Sequence, residues 1–106
     1  MSQNIVLTES TYYILLALHK PQHGYGIMQQ VESLSDGRVH LAAGTLYGAL
    51  NVLCEKEWIT PLPFDKDSRK KEYKLTDKGL DILKEELARL RQLVANGEEI
   101  LKEELA

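Results

Sequence analysis

The strongest constraint on this chain of 106 residues is a stripe near its C-terminal end. Leu80, Leu83, Leu87, Leu90, Val94, Gly97 and Leu101 follow one another at alternating spacings of three and four, the pattern of a coiled-coil seam on one long helix. Thr76 and Asp77 stand where its N-terminal cap belongs. So small a domain leaves such a stripe nothing to pack on except a partner. The expectation is a homodimer joined through Leu83, Leu87, Leu90 and Val94; the competing arrangement is a helix folded back on its own domain. Asn96-Gly97 interrupts the seam, so a kink or break is expected there, with Glu98 to Ala106 as a weaker extension. The chain thereby divides into residues 1–75, one small domain, and residues 76–106, a dimerisation helix.

A second stretch, Gly44 to Leu53 (GTLYGALNVL), reads as a short helix with two unlike faces. Leu46, Ala49, Leu50 and Leu53 form a core-facing stripe, whereas Thr45, Tyr47, Gly48 and Asn51 point the other way. That outer face carries no charge. A solvated helix face normally carries lysine and glutamate, while a hydroxyl, a phenol, an amide and a glycine suit close approach to a polar surface. Gly48 sharpens the point, because a glycine inside a helix costs about 1 kcal/mol relative to alanine. The plain alternative is a surface helix poor in charge.

The residues before this stretch supply two more helices. Thr8 or Ser10 can cap a first helix over Thr11 to His19, apolar nearly all round and ended by Pro21. His23-Gly24-Tyr25-Gly26 reads as a glycine-punctuated turn into a second helix marked by Ile27, Val31 and Leu34, which Ser35-Asp36-Gly37 ends with a C-cap glycine. A short extended piece, Val39-His40-Leu41, leads on to the central helix. Two short helices with a glycine-bearing link, following a first helix, have the layout of a helix-turn-helix unit.

Beyond the central helix the pattern becomes extended. Trp58 to Phe64 contains Pro61 and Pro63, which restrict it to an edge strand, and Arg69 to Leu75 reads as its antiparallel return. Between Lys66 and Lys74 stand five basic residues against Asp67 and Glu72. Lys66, Arg69, Lys70 and Lys71 can contact phosphates as a group; a solvated hairpin whose lysines protect an edge is the alternative.

This clustering matters because the net charge is −3. Residues 1–75 hold eight basic and eight acidic residues, so the excess negative charge lies entirely in residues 76–106. A generally basic nucleic-acid coat is excluded, but a local polyanion contact is not. With 43% hydrophobic residues the chain can bury a modest core that a dimer would supplement. Cys54 is the only cysteine, so no internal disulfide forms; it reads as a core-boundary residue, and Lys56 is the only nearby cation that could activate its thiol. Membrane-length apolar runs and a signal peptide are absent, so a cytoplasmic location is expected. His19 and His23 are four apart, but Pro21 breaks the helix that would align them, so no metal site is expected. Neither a nucleophile with its base nor a phosphate-cradling loop is present, and the chain is not expected to be an enzyme or to hold a cofactor.

Taken together, HGYGIMQQVE from His23, GTLYGALNVL from Gly44 and RKKEYKLTDKG from Arg69 resemble the PadR family of bacterial transcription regulators, in its short form with one C-terminal helix. The resemblance implies a mainly α fold with a small β-hairpin, a winged helix-turn-helix with a C-terminal dimerisation helix. It implies that Thr45, Tyr47 and Asn51 face double-stranded DNA, with His40 at the approach, Tyr25 starting the supporting helix near the phosphates, and Lys66, Arg69, Lys70 and Lys71 as the wing. The operator would be pseudo-palindromic, the regulator a repressor, and a small-molecule effector would set its occupancy. Relatives bind phenolic or drug-like ligands between subunits with aromatic residues; here the last helix has none, which leaves Tyr12 and Tyr13. The rival reading is a winged-helix module for protein contacts.

Overall fold

The computed structural model describes residues 5–63 and 70–106. The first helix, α1, spans Glu9–Ala17 and starts at Thr8, whose hydroxyl accepts the Thr11 N–H (3.1 Å). Its start lies two residues ahead of the expected position because Thr8, not Ser10, is the cap. Pro21 then gives extended backbone, and Gln22–His23 form a two-residue strand, β1. The second helix, α2, spans Gly24–Leu34. Here the sequence expectation is corrected: Gly24, Tyr25 and Gly26 are the first turn of the helix. The reason is His23, whose Nδ1 accepts the Gly26 N–H (3.2 Å) and so caps α2 three residues earlier.

At its other end α2 closes in a Schellman motif. Gly37 N–H donates to the Glu32 carbonyl (2.8 Å) and Asp36 N–H to that of Ser33 (3.2 Å). Asp36 takes the left-handed position at φ 52° and Gly37 follows at φ 79°. The link to the third helix is knotted by buried Ser35, whose hydroxyl accepts the Val39 N–H (3.0 Å). The third helix, α3, spans Ala43–Glu55, slightly longer than the predicted stretch, and buries Leu46, Leu50 and Leu53.

Two strands follow, β2 (Ile59–Pro61) and β3 (Glu72–Leu75). They pair antiparallel as the expected hairpin, and β1 adds a third strand to it. The sheet has three antiparallel strands in the order β1-β3-β2, with Gln22 opposite Tyr73 and Ile59 opposite Leu75. Proline-bearing β2 is an edge as expected, and β3, shorter than predicted, is the centre. One face of this small sheet contributes Ile59 and Tyr73 to a core that also contains Ile14, Leu15 and Leu18, Ile27 and Val31, the three α3 leucines, Trp58 and Leu83. The result is a mostly helical winged helix-turn-helix domain.

The long helix α4 spans Asp77–Ile100, capped by the Thr76 hydroxyl on the Gly79 N–H (3.0 Å). It runs through Asn96-Gly97 without interruption and ends only at Leu101, after which α5 occupies Lys102–Leu105. The expected break at Gly97 is therefore corrected. An exposed glycine costs a helix about 1 kcal/mol, too little to stop one flanked by good helix formers such as Ala95, Glu98 and Glu99. The molecule measures 58 × 35 × 20 Å, and its 16.0 Å radius of gyration exceeds the roughly 13 Å of a compact chain this long. The distal half of α4 stands out from the domain.

Candidate nucleic-acid interface

On α3 the leucines at 46, 50 and 53 are held in the core, so the opposite face must point outward. Thr45, Tyr47, Gly48 and Asn51 are exposed there, and the expected uncharged surface is present. A Cβ built on Gly44 or Gly48 would meet nothing, so packing within the chain requires neither glycine. Val52, 48% exposed, adds an apolar residue that the sequence reading did not single out.

Tyr47 makes a contact the sequence reading missed. Its phenol lies across the start of α2, so close that a Cβ on Gly24 would collide with the Tyr47 hydroxyl. Gly24 is buried because the ring covers it, yet Tyr47 remains 47% exposed. The side chain therefore braces α3 against α2 and still presents an edge outward. Gln22 acts similarly two residues on: its side-chain oxygen accepts the His23 N–H (3.0 Å), and its amide fills the space above Gly26. Beside this arrangement Tyr25 is 62% exposed. His40 is exposed in the link before α3, with Nδ1 3.2 Å from Glu32 Oε2.

The wing is partly described. Lys70 and Lys71 are exposed ahead of β3, and Lys71 Nζ lies 5.6 Å from the centroid of the buried Tyr73 ring. Lys66 and Arg69 lie outside the described residues. Lys71 also bears on Cys54: burial pushes that thiol upward, and Lys71 opposes the shift. The influential cation is thus Lys71 rather than the sequence neighbour Lys56, which instead sits 4.7 Å over the Trp58 ring. A half-buried thiol pushed upward is a poor nucleophile at neutral pH.

The C-terminal stripe divides in two. Leu83 is buried in the domain's own core, whereas Leu87 is 39% and Val94 59% exposed, with Leu90 between them. An open apolar groove of about 400 Å3 runs along Leu87, Leu90, Val94 and Ala95, flanked by Arg91 and Glu98. Glu86, which the sequence reading did not single out, is almost fully buried. It accepts from Arg89 and from the Leu7 N–H, and these bonds hold its carboxyl below the usual range: the Arg89 hydrogen bond most, against the opposing effect of burial, with the Leu7 N–H adding to it. A second groove of about 370 Å3 opens beside it between α1 and α4, lined in part by Leu7, Tyr12, Tyr13, Arg38 and Leu90. No described helix is long and apolar enough to cross a membrane.

The family model described as "Transcriptional regulator PadR-like family" matches residues 14–85, from α1 through β3 into α4. Among solved structures, a PadR-like transcription factor from Bacteroides fragilis is 31% identical, with a TM-score of 0.70 over 85% of this chain and 87% of that one. A PadR family transcriptional regulator from Eggerthella lenta is 27% identical, with a TM-score of 0.69 over 86% and 80%. A PadR family regulator from Clostridium difficile R20291 shares the fold at 23% identity, with a TM-score of 0.72 over 93% of this chain and all of that one. No curated protein matches the chain.

Proposed function

The chain belongs to the PadR-like family of transcriptional regulators, and from that premise we propose that it is a dimeric repressor that binds a pseudo-palindromic DNA operator and is released by a small-molecule effector. The observation that carries this reading is the outer face of α3, where Thr45, Tyr47, Gly48 and Asn51 are exposed and uncharged, the hydroxyl, phenol and amide able to hydrogen-bond base edges and the glycine with open space above it. Thr45 and Asn51 suit direct readout in a major groove. Tyr47, Tyr25 and His40 border that face, and Lys70 and Lys71, with Lys66 and Arg69, are the cations for phosphates. In this division of labour the wing sets affinity and salt dependence while α3 selects sequence. A protein whose excess negative charge lies in its C-terminal helix can bind DNA this way, because only the cations facing the duplex matter.

The apolar face of α4 beyond Leu83 supports the dimer. Leu87 and Val94, with half-buried Leu90 between them in sequence, continue a seam that the chain's own domain leaves largely uncovered. Two copies related by a two-fold axis would place their recognition helices on half-sites about one helical turn apart. The groove between α1 and α4, with Tyr12 and Tyr13 tilted at 57° and 6.3 Å between ring centroids, is the place where a small molecule would reach both the domain and the helix that joins the copies.

Selection of bound duplexes from a random pool, at near-physiological salt, tests the reading. A two-fold symmetric motif is the expected result. Weak binding that vanishes with salt and shows no sequence preference would overturn it and leave a winged-helix module for protein contacts.

A further inference from the structure

Besides the packing of Ile82 and Leu83 against the core, helix α4 is fastened to the domain by close backbone contacts and hydrogen bonds at two places. The first is its start: the Thr76 N–H donates to the Trp58 carbonyl (3.0 Å), the Thr76 hydroxyl donates to the Glu57 carbonyl (2.6 Å), and Gly79 lies against Trp58 so closely that no Cβ would fit. The second is Glu86, only 2% exposed. Its two oxygens take Arg89 Nε at 2.5 Å and Nη2 at 2.9 Å, and one of them also takes the Leu7 N–H at 2.9 Å. Leu7 immediately precedes Thr8, the cap of α1, so this bond ties the root of α1 to α4.

We propose that Glu86 is a positioning residue: by locking the segment ahead of α1 onto α4 it fixes the direction in which α4 leaves the domain, and so the separation of the two recognition helices in the dimer. This rests on the dimeric DNA-binding reading above. Held only at Thr76, Gly79 and Leu83, all within its first two turns, α4 would be a rod free to tilt. The further anchor at Glu86, which ties it to the segment ahead of α1, turns the rod into a lever of set angle. Beyond it α4 projects some 14 residues, about 21 Å, carrying the apolar face that meets the other copy. A leucine at position 86 would fill the same space with more freedom of orientation. The two Arg89 donors, from the same helix, fix the orientation of the carboxylate, and the Leu7 N–H is the bond that crosses to the segment ahead of α1; a buried ionic group of this kind serves specificity, since apolar replacements are often no less stable.

The test uses the full chain with Cys54→Ser and a nitroxide on Gln29→Cys, an exposed α2 position, so that the distance between the two labels reads the head-to-head separation. The parent should give one narrow distribution. Glu86→Leu, which leaves the Leu7 N–H without an acceptor, should remain dimeric with a distribution at least about twice as wide, and Glu86→Gln, which keeps one oxygen, should fall between. Inserting one base pair between the half-sites of the selected operator should cost the parent roughly tenfold in affinity and Glu86→Leu less than about threefold. Unchanged widths in the variants that fold, or no inter-subunit distance at all, would overturn the proposal. Broadened widths in a protein whose parent selects no DNA motif would sink the regulator reading and leave the positioning role standing.

Discussion

Two glycines sit within helices of this molecule for opposite reasons. Gly79, in the first turn of α4, is buried against the backbone of Trp58, and any side chain there would collide with the Trp58 carbonyl oxygen. Gly48, in the middle of α3, is exposed and has nothing within reach of a Cβ. The first glycine is explained inside the chain: it lets α4 sit against the backbone at Trp58, between α3 and β2. The second has no packing reason inside the chain, and the proposed DNA contact of α3 would supply one. The root of α4 is therefore a region of internal constraint, and the outer face of α3 is one of external fit. Substitutions should affect stability in the first and binding in the second.

The largest effect is expected from Gly79→Ala. The new methyl group would meet backbone rather than a flexible side chain, so the helix start must move, at a cost of about 3 kcal/mol or more. Thermal denaturation should show the melting temperature falling by roughly 12 °C or more for a domain of this size. An unchanged melting temperature would break the contrast at its root. On the binding side, Lys70→Ala combined with Lys71→Ala should leave the melting temperature within about 2 °C. It should weaken operator binding by about 2 kcal/mol and lower the slope of log affinity against log salt by roughly two. Retained affinity would remove the wing from the interface. A smaller effect is expected where α3 hands over to β2. Glu57 holds a left-handed conformation at φ 63° in the motif that ends α3, with Trp58 N–H donating to Leu53 and Glu57 N–H to Cys54. Glu57→Gly should raise stability by about 1 kcal/mol without altering affinity, as chemical denaturation and titration with DNA would show.

These features were unequally legible in the sequence. Thr8, Thr76 and the α3 leucines are local signals, capping types and helical spacing, and each stands in the structure where such signals place it. Pro61 and Pro63 correctly restricted β2 to an edge, because the missing N–H is a property of the residue itself. What depends on a distant partner was not legible. β1 is two residues long and is defined only by its pairing with β3, some fifty positions away. Gly24 reads as a turn residue until Tyr47 is seen to lie over it. Glu86 sits in a run of acidic and basic residues typical of a solvated helix; its one hint is a place next to the apolar seam, three residues before Arg89. Whether Asn96-Gly97 breaks α4 could not be decided from the sequence, because a modest helix penalty is outweighed or not by the helix formers around it.

A small gain in stability is the most informative change, because it comes with a change in binding of opposite sign. Gly48→Ala introduces a methyl group into open space on an exposed helix face and should stabilise the fold by about 0.8 kcal/mol, through the ordinary helix preference for alanine over glycine. If α3 lies in a DNA groove with its backbone close at this point, the same methyl group meets the duplex, and operator affinity should fall by roughly tenfold while the melting temperature rises by a few degrees. Stability and affinity moving apart is a result that neither a folding defect nor a passive surface position can produce. If both rise, or affinity is unmoved, Gly48 lies clear of the duplex, and sequence selection would then have to come from Thr45, Tyr47 and Asn51 without close approach at the centre of the helix.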